Sequence, residues 1–282
     1  MPVAVVTDST AYLPAELAGA HKLTVVPLTV VVNGIEGLEG AEISPAEVAR
    51  ALTVRRSHVS TSRPAPEQFV AAYRRLLDAG ADGVVSVHLS AKLSGTCDAA
   101  RLAADEIGSG IEVVDSGSTG MGLGFAALAA GAAAHRGEGL AAVTRTAVDH
   151  AARVSTLFYV DTLEFLRRGG RIGAASALLG TALSVKPILH VVDGAIVVRD
   201  KVRTAGRALA RLVDLAVDAS GTGDVDIAVH HLGAPDRAGA LADAVSMRLG
   251  DRLRDCYIAE IGAVVAAHVG PAFACVVVHR RG

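Results

Sequence analysis

Residues 84–114 read VVSVHLSAKLSGTCDAARLAADEIGSGIEVV, and this stretch decides the fold class. It opens with a run rich in valine at 84–87, continues with an Ala-rich stretch that begins at Ser94, and closes with a β-branched run at 111–114. β-Branched residues favour strands, and an Ala-rich stretch of this length favours a helix. The order strand, helix, strand predicts a βαβ unit with parallel strands.

The same alternation continues on both sides of this stretch. Further β-branched runs lie between helical stretches, at residues 3–6, 23–32, 157–160, 226–230 and 274–279. Ser44-Pro45-Ala46-Glu47 predicts a helix start with a capping box, and Asp193-Gly194 predicts the turn of a β-hairpin over 185–198. These patterns predict two α/β domains with mainly parallel sheets, one at residues 1–150 and the other at 151–282.

The composition excludes several classes of protein. Hydrophobic residues make up 51% of the chain, which excludes a disordered protein, whereas only 3% are aromatic and tryptophan is absent. Proteins that bind single-stranded nucleic acid stack bases on aromatic side chains and attract phosphates with an excess of basic ones. Here the 27 basic residues do not exceed the 29 acidic ones. We therefore expect no nucleic-acid partner.

The cysteines and the uncharged segments favour a protein of the cytoplasm. Cys97, Cys256 and Cys275 are odd in number and widely spaced, so they match neither a disulfide framework nor a zinc site. The opening residues MPVAVVTDST lack the basic start of a signal peptide. Residues 116–134 carry no charge but are mostly Gly, Ala and Ser, too weakly apolar for a membrane span. We expect a turn and a tightly packed helix there, and no transmembrane segment.

Two patterns resemble ligand sites but are better explained by packing. Residues 122–124 (GLG) follow a strand and enter a helix, as in a dinucleotide-binding turn, but the next segment, from about Leu140, is helical rather than a strand. His230 and His231 end a strand, where adjacent side chains face opposite sides, and no third ligand follows at a metal-binding spacing. We expect neither a cofactor nor a metal.

Four short polar segments stand where strands are expected to end: residues 7–10 (TDST), 60–64 (STSRP), 93–96 (LSGT) and 268–271 (HVGP). Ligands of open α/β sheets bind beyond the carboxyl ends of strands, where helix N-termini present free N–H groups. Hydroxyl groups at such places suit an anion such as a carboxylate. Each segment alone also has a structural explanation, because Ser and Thr are common helix N-caps and a lone histidine is usually a core residue.

The order of these segments resembles the DegV family, bacterial fatty-acid-binding proteins that include the acyl-carrying subunit of fatty acid kinase. KLSGT at 92–96 and LRRGGRIG at 166–173, in this order, are specific to that family. The resemblance covers nearly the whole chain and also includes VAVVTDSTAYLP (3–14), VVPLTVVVNG (25–34), TSRPAPEQF (61–69), VVDSGSTGMGLG (113–124), KVRT (201–204) and GAVVAAHVGPAF (262–273).

The resemblance implies one bound long-chain fatty acid, with its acyl chain in one domain and its carboxylate at the interdomain cleft. Thr61 and Ser94 match the family's hydroxyl donors to the carboxylate, and His268 matches its head-group histidine. Arg171 matches a basic residue near the same site, and the neighbouring positions are Ser62, Gly95 and Thr96. The chain departs from the family's usual pattern at Arg63 and Cys97, both at the expected rim of the cleft.

The resemblance also implies a carrier without turnover of its own, which presents the fatty acid to a separate kinase. The kinase would form acyl phosphate for phospholipid synthesis. Basic residues exceed acidic ones between Asp161 and Arg207, and this surplus suggests a surface for an acidic kinase partner. The candidate docking residues are Arg167, Arg168, Arg171, Lys201 and Arg203.

Two other functions remain open at this point. A hydrolase would use Ser94 as nucleophile and His268 as base, although no third orienting group and no nucleophile elbow are evident. A small-metabolite kinase subunit of related architecture would bind a nucleotide by itself.

Overall fold

The computed structural model describes residues 3–54, 56–178 and 185–282 of the chain. Its strands are β1 (Ala4–Asp8), β2 (Thr24–Val26), β3 (Thr29–Val32), β4 (Ile35–Leu38), β5 (Val59–Ser62), β6 (Val84–His88), β7 (Ile111–Asp115), β8 (Val154–Tyr159), β9 (Lys186–Val192), β10 (Ala195–Val202), β11 (Val225–His231), β12 (Leu253–Glu260) and β13 (Ala274–Arg280). Its α-helices are α1 (Ala15–Ala20), α2 (Pro45–Thr53), α3 (Pro66–Asp78), α4 (Thr96–Ile107), α5 (Met121–His135), α6 (Leu140–Ala151), α7 (Glu164–Arg168), α8 (Ala205–Ala219), α9 (Pro235–Leu249) and α10 (Ala263–Val269).

The chain forms two compact units, and the prediction of two α/β domains is confirmed. The first unit holds the described residues of Met1–Thr29 and Ser62–Ala152, and the second those of Val30–Thr61 and Arg153–Gly282. The boundary after Ala152 lies close to the one expected near residue 150.

The segment Val30–Thr61 differs from the predicted division, because it belongs to the second unit rather than the first. It contains the three-stranded sheet β4-β3-β5 and the helix α2, and α2 packs against α10. The buried carboxylate of Glu39 accepts a hydrogen bond from the backbone N–H of Val264 at the start of α10, with 2.7 Å between Oε1 and N. These long-range contacts decide the division, and local sequence patterns do not report them.

The first unit is built on a parallel sheet with strand order β2-β1-β6-β7. The predicted βαβ unit is confirmed as β6-α4-β7, with Val84 opposite Ile111 in the register. Adjacent strand residues point to opposite faces, so Val85 packs in a cluster with α5 and α6 whereas Val84 packs with α3 and α4. Both faces of the sheet are therefore covered, as parallel sheets require.

The helix α5 occupies most of the uncharged stretch 116–134, which confirms the prediction of a tightly packed helix there. Eleven of its fifteen residues are buried, and a Cβ added at Gly124 would lie 3.1 Å from the carbonyl oxygen of Ala11. The lack of a side chain at Gly124 thus allows this close approach. Within the described residues, no helix is both long and apolar enough to cross a membrane.

The second unit contains a mixed six-stranded sheet with the order β10-β9-β8-β13-β11-β12. Among its described strands only β11 and β12 pair in parallel. The prediction of mainly parallel strands therefore holds for the sheet of the first unit and not for this six-stranded sheet. The last strand, β13, lies between β8 and β11 and runs antiparallel to both. The hairpin β9-β10 forms as predicted, since Asp193 and Gly194 both have positive φ (47° and 77°). Helices α8 and α9 cover one face of the sheet.

Candidate functional site

A cavity of about 550 Å³ lies within the second unit. Its walls come from residues 52 and 56–61 at the end of α2 and in β5, from residues between 165 and 171 around the end of α7, and from residues 267–268 of α10. A volume of this size is typical of small-molecule sites. Three of the predicted site residues line it, namely Thr61, Arg171 and His268.

Thr61 and His268 are joined by a hydrogen bond, with 2.8 Å between Oγ1 and Nε2. β5 carries Thr61 and the last turn of α10 carries His268. The other ring nitrogen, Nδ1, is buried and has no hydrogen-bond partner in the described part of the chain. It lies over Gly169, where an added Cβ would be only 2.1 Å from Nδ1. The absence of a side chain at Gly169 is therefore what gives the imidazole its space.

The unpartnered Nδ1 indicates which tautomer the imidazole adopts. If Thr61 donated its proton to Nε2, Nδ1 would carry a buried N–H without an acceptor, which is rare and costly. The alternative leaves only a lone pair unpaired, and in it the Nε2–H donates to the hydroxyl oxygen of Thr61. The hydroxyl hydrogen of Thr61 is then free to donate to a ligand.

His268 is neutral near pH 7, and the positive charge of the site comes from Arg171. Burial, followed by the nearby charge of Arg171, lowers the pKa of His268 to about 4. Arg171 donates from Nη1 to the carbonyl oxygen of Gly169 at 2.6 Å, which places its guanidinium beside the residue that supports His268. The site therefore combines a hydroxyl donor, a neutral imidazole and a cation, a set suited to one carboxylate.

The first unit holds the other predicted site residues, which are Ser62, Ser94, Gly95 and Thr96. Ser94 follows β6 and its hydroxyl pairs with that of Thr96, with 2.9 Å between the two oxygens. The strand order of this sheet reverses between β1 and β6, and ligands of open α/β sheets bind at such reversal points. The position of Ser94 is therefore consistent with a ligand-binding role.

Gly95 lies against the side chain of Arg63, one of the two residues that depart from the family's pattern. A Cβ at Gly95 would lie within 2.4 Å of Nη1 of Arg63, so the guanidinium occupies the space above the glycine. Ser62 donates its hydroxyl to the carbonyl oxygen of Arg63 at 3.2 Å. Cys97, the other departure, is fully buried, and burial raises its thiol pKa to about 12, so it is not a nucleophile.

The polar segment at residues 7–10 has a structural role. Asp8 is fully buried and accepts hydrogen bonds from the backbone N–H groups of Thr10 and Leu89, both at 3.0 Å, and from the Thr10 hydroxyl at 2.6 Å. Its second oxygen pairs with Nδ1 of His88 at 3.0 Å. The network continues from His88 through Ser86 to the hydroxyl of Tyr73, and it ties β1 to β6.

The hydrolase alternative gains no support from the contacts of its two proposed residues. Ser94 is bonded to the hydroxyl of Thr96 and not to a base. In the tautomer described above, Nε2 of His268 donates to Thr61, so it does not act as a base toward that hydroxyl. Within the described residues, no group of three or more His, Cys, Asp or Glu is arranged to hold a metal ion. His230 is buried and its Nδ1 lies 3.1 Å from the carbonyl oxygen of Ala259.

The predicted docking residues differ in their pairing. Arg167 and Arg168 both form ion pairs with Glu164, at 2.8 and 2.7 Å. Lys201 and Arg203 are exposed, and their side chains form no ion pair with any residue that the structure describes. These two residues thus have their full charge available to a partner.

Sequence reasoning missed Gly169, Glu39 and Arg56. Gly169 supports His268, Glu39 holds the start of the helix that carries it, and Arg56 lines the cavity. Gly169 lies inside the segment LRRGGRIG, so the family resemblance already indicated that this glycine belongs to the site region. No sequence pattern indicates Glu39, because it contacts Val264, which is 225 positions away in the sequence. No pattern indicates Arg56 either, because it lies in a loop.

The fold defines a two-domain α/β protein, and the comparison with known proteins assigns it to a family. The model of a family described as "Uncharacterised protein, DegV family" matches residues 2–280. A DegV domain-containing protein of Streptomyces coelicolor is 54% identical over 282 residues, which cover 99% of each chain. One of Mycobacterium tuberculosis is 41% identical over 274 residues, covering 96% of this chain and 94% of that protein. The chain belongs to the DegV family.

Two solved structures resemble the chain over its whole length. A DegV family protein from Thermus thermophilus, described by its fatty acid binding, has a TM-score of 0.94 and 34% identity, with 100% of both chains covered. DegV of Bacillus subtilis, described as a fatty acid binding protein, has a TM-score of 0.89 and 30% identity, also with 100% of both chains covered.

Proposed function

We propose that this chain binds a long-chain fatty acid and holds its carboxylate at the hydrogen-bonded pair Thr61 and His268. That pair, set in a cavity beside Arg171, is the observation that carries the proposal. The two related proteins described as binding fatty acids, both at 30% identity or more, support it.

The head-group chemistry follows from the contacts of the cavity. A buried carboxylate is costly unless it is hydrogen-bonded and its charge is compensated. The hydroxyl of Thr61 supplies the hydrogen bond, the neutral His268 orients that hydroxyl, and Arg171 supplies the charge. Ser94 is a second hydroxyl donor in the family resemblance, and for this residue the prediction stays a prediction.

The acyl chain supplies most of the affinity. Burying a saturated chain of ordinary length contributes on the order of 10 kcal/mol gross, at about 0.8 kcal/mol per methylene. Ordering the lipid and losing its translational freedom offset part of this. Leu52, Val59, Phe165 and Ala267 give the cavity an apolar part that suits the first carbons of the chain.

The carrier role is the second part of the proposal. The chain presents its fatty acid to a separate kinase, which forms acyl phosphate for phospholipid synthesis, and has no turnover alone. Lys201 and Arg203 favour docking to an acidic partner surface, because they are exposed and no described carboxylate pairs with them. Removing both charges is expected to slow association with the kinase and to leave fatty acid binding unchanged.

The experiment that tests fatty acid binding is denaturing extraction and mass spectrometry of the purified protein. We expect near-stoichiometric fatty acid in the wild type and much less in Thr61→Val, which keeps the shape of the side chain and removes its hydroxyl. Thr61→Ser restores the hydroxyl and is expected to restore the lipid. Ser94→Ala tests the donor in the first unit.

The matched control is Thr53→Val at the exposed end of α2, where the hydroxyl donates to the carbonyl oxygen of Arg50. Its lipid content should equal that of the wild type. If no variant or wild-type sample contains fatty acid, and none is taken up when offered, the proposed function is wrong.

A further inference from the structure

One wall of the cavity is a continuous piece of chain, residues 57–61, all of which line it. The wall consists of the beginning of β5 and the two residues before it. The sheet order β4-β3-β5 makes β5 an edge strand, with one neighbour among the described strands. An edge strand is hydrogen-bonded to its sheet on one side only. Contacts at the two ends of the wall therefore help to fix its position.

The wall is held at both ends by side chains from other segments. At its far end Thr61 is bonded to His268, as described above. At its near end the side-chain oxygen Oδ1 of Asn33 accepts hydrogen bonds from the hydroxyl of Ser57 and the backbone N–H of His58, both at 2.9 Å. The backbone N–H of Asn33 donates to the carbonyl oxygen of His58 at 2.8 Å. Asn33 thus holds residues that are 24 and 25 positions away in the sequence.

The backbone conformation of Asn33 suits it to this place. Asn33 and Gly34 form the two-residue turn between β3 and β4, and both have positive φ (53° and 84°). Asparagine adopts this conformation more readily than most residues, so it turns the chain and also presents its amide oxygen to the wall. Asp193 and Gly194 form the same kind of turn between β9 and β10, but Asp193 lies outside the described lining of the cavity.

We propose that Asn33 is a positioning residue of the cavity, which holds the wall 57–61 in place and thereby lengthens the time that a fatty acid stays bound. This inference rests on the proposed fatty acid function. Asn33 is not among the described lining residues, so its effect passes through Ser57 and His58. A wall held at both ends keeps the hydroxyl of Thr61 directed at the carboxylate, whereas a wall held only at Thr61 has more freedom to move.

The test measures the release of cis-parinaric acid, a fluorescent long-chain fatty acid, from the loaded protein into an excess of phosphatidylcholine vesicles by stopped-flow fluorescence. Asn33→Gly removes the side chain and its two hydrogen bonds but keeps the turn, because glycine adopts positive φ without strain. We expect dissociation to become about tenfold faster, the effect of losing two hydrogen bonds between neutral groups. The association rate constant should change by less than about twofold, because changes at one binding site act mainly on dissociation.

The matched control is Asp193→Gly, which makes the same kind of change at a turn residue with φ 47° in the same unit. Its dissociation rate should equal that of the wild type. Ser57→Ala removes one of the two side-chain bonds and should speed dissociation about threefold. In the Asn33→Gly background the same change should have no effect, since the bond is already lost.

Three results would overturn the positioning role. The first is unchanged release from Asn33→Gly, and the second is an equal increase in Asn33→Gly and Asp193→Gly, which would reflect only the loosening of a turn. The third is an equal effect of Ser57→Ala in both backgrounds, because Ser57 would then act without Asn33. A wild-type protein that takes up no cis-parinaric acid would instead contradict the proposed fatty acid function, so the two failures are distinguishable.

Discussion

The hydroxyl of Thr61 and the imidazole of His268 are 2.8 Å apart although 207 positions separate them in the sequence. The buried, unpartnered Nδ1 selects the tautomer in which Nε2–H donates to Thr61. That bond in turn directs the hydroxyl hydrogen of Thr61 away from the ring. Three features hold the pair: the strand β5, the glycine under the ring, and the carboxylate of Glu39 at the far end of α10. The predictions below test these supports and the network that joins β1 to β6.

Gly169→Ala should abolish fatty acid retention while leaving the protein folded. The backbone at Gly169 is in the right-handed helical region (φ −74°), so alanine fits there without strain. Its Cβ would, however, lie 2.1 Å from Nδ1 of His268, and the imidazole must move away from Thr61. The measurement is lipid content by mass spectrometry, together with the melting temperature.

Gly206→Ala in α8 is the matched control for this change, because nothing lies within 4 Å of an added Cβ there. It should retain lipid and gain a few tenths to about 1 kcal/mol in stability from helix propensity. Normal lipid content in Gly169→Ala would show that the position of His268 does not matter for binding.

The stability of the lipid-free protein should fall between pH 6.5 and pH 4 in part because of His268. Burial lowers its pKa from 6.5 to about 4, so the unfolded chain takes up a proton that the folded chain resists. The contribution is fully present above pH 6.5 and is lost as the pH falls, by about 3 kcal/mol at pH 4. Urea unfolding at a series of pH values measures it.

His268→Gln should make that decline shallower. The comparison uses the slope with pH and not the absolute stability, because the variant also loses its bond to Thr61. His230, whose pKa burial also lowers to about 4, remains in the variant, so the slope is reduced and not removed. Parallel curves for variant and wild type would contradict a buried neutral His268.

Glu39→Gln should lower stability by about 1–2 kcal/mol and weaken fatty acid binding. The carboxylate accepts a hydrogen bond from the backbone N–H of Val264, with 2.7 Å between Oε1 and N. At a helix N-terminus a charged carboxylate forms a stronger hydrogen bond than a neutral amide does. Loosening the start of α10 also loosens His268 at its other end. Chemical denaturation and lipid titration measure the two effects.

Glu36→Gln is the control for this prediction, since Glu36 is exposed and lies in the same strand region. Unchanged lipid affinity in Glu39→Gln, with only stability reduced, would limit Glu39 to a structural role.

Asp8→Asn should destabilise the protein by about 2–4 kcal/mol, although the change keeps the size of the side chain. Both carboxylate oxygens of Asp8 accept hydrogen bonds. In asparagine an NH₂ group replaces one of these oxygens, so a donor would face a donor and the hydrogen bond would be lost. Denaturant unfolding measures the loss. The exposed Asp98→Asn, which breaks a surface ion pair with Arg101, should change stability by less than about 1 kcal/mol.

Short-range signals in the sequence were sufficient for most of the secondary structure. The capping box forms as predicted, with Ser44 Oγ accepting from Glu47 N and Glu47 Oε2 accepting from Ser44 N. The Asp193-Gly194 turn closes the predicted hairpin, and residues 84–114 form the predicted parallel unit. These features depend on residues close in sequence, whose steric and hydrogen-bonding preferences are largely independent of the rest of the chain.

Strand direction in the second sheet and the allocation of Val30–Thr61 were decided by the tertiary structure. A buried β-branched run reads the same whether its neighbour is parallel or antiparallel, and β13 finds both of its partners far away in sequence. Likewise α2 is an ordinary amphipathic helix until it packs against α10.

The sequence by itself determined the family, the two α/β domains and the candidate residues Thr61, Arg171 and His268. Only the tertiary structure decided that these three line one cavity, that Gly169 makes room for the imidazole, and that Arg56 and Arg168 add charge to the same walls. The physical reason is that a residue type specifies which bonds a side chain is able to form. The partners it meets depend on packing between segments that are distant in the chain.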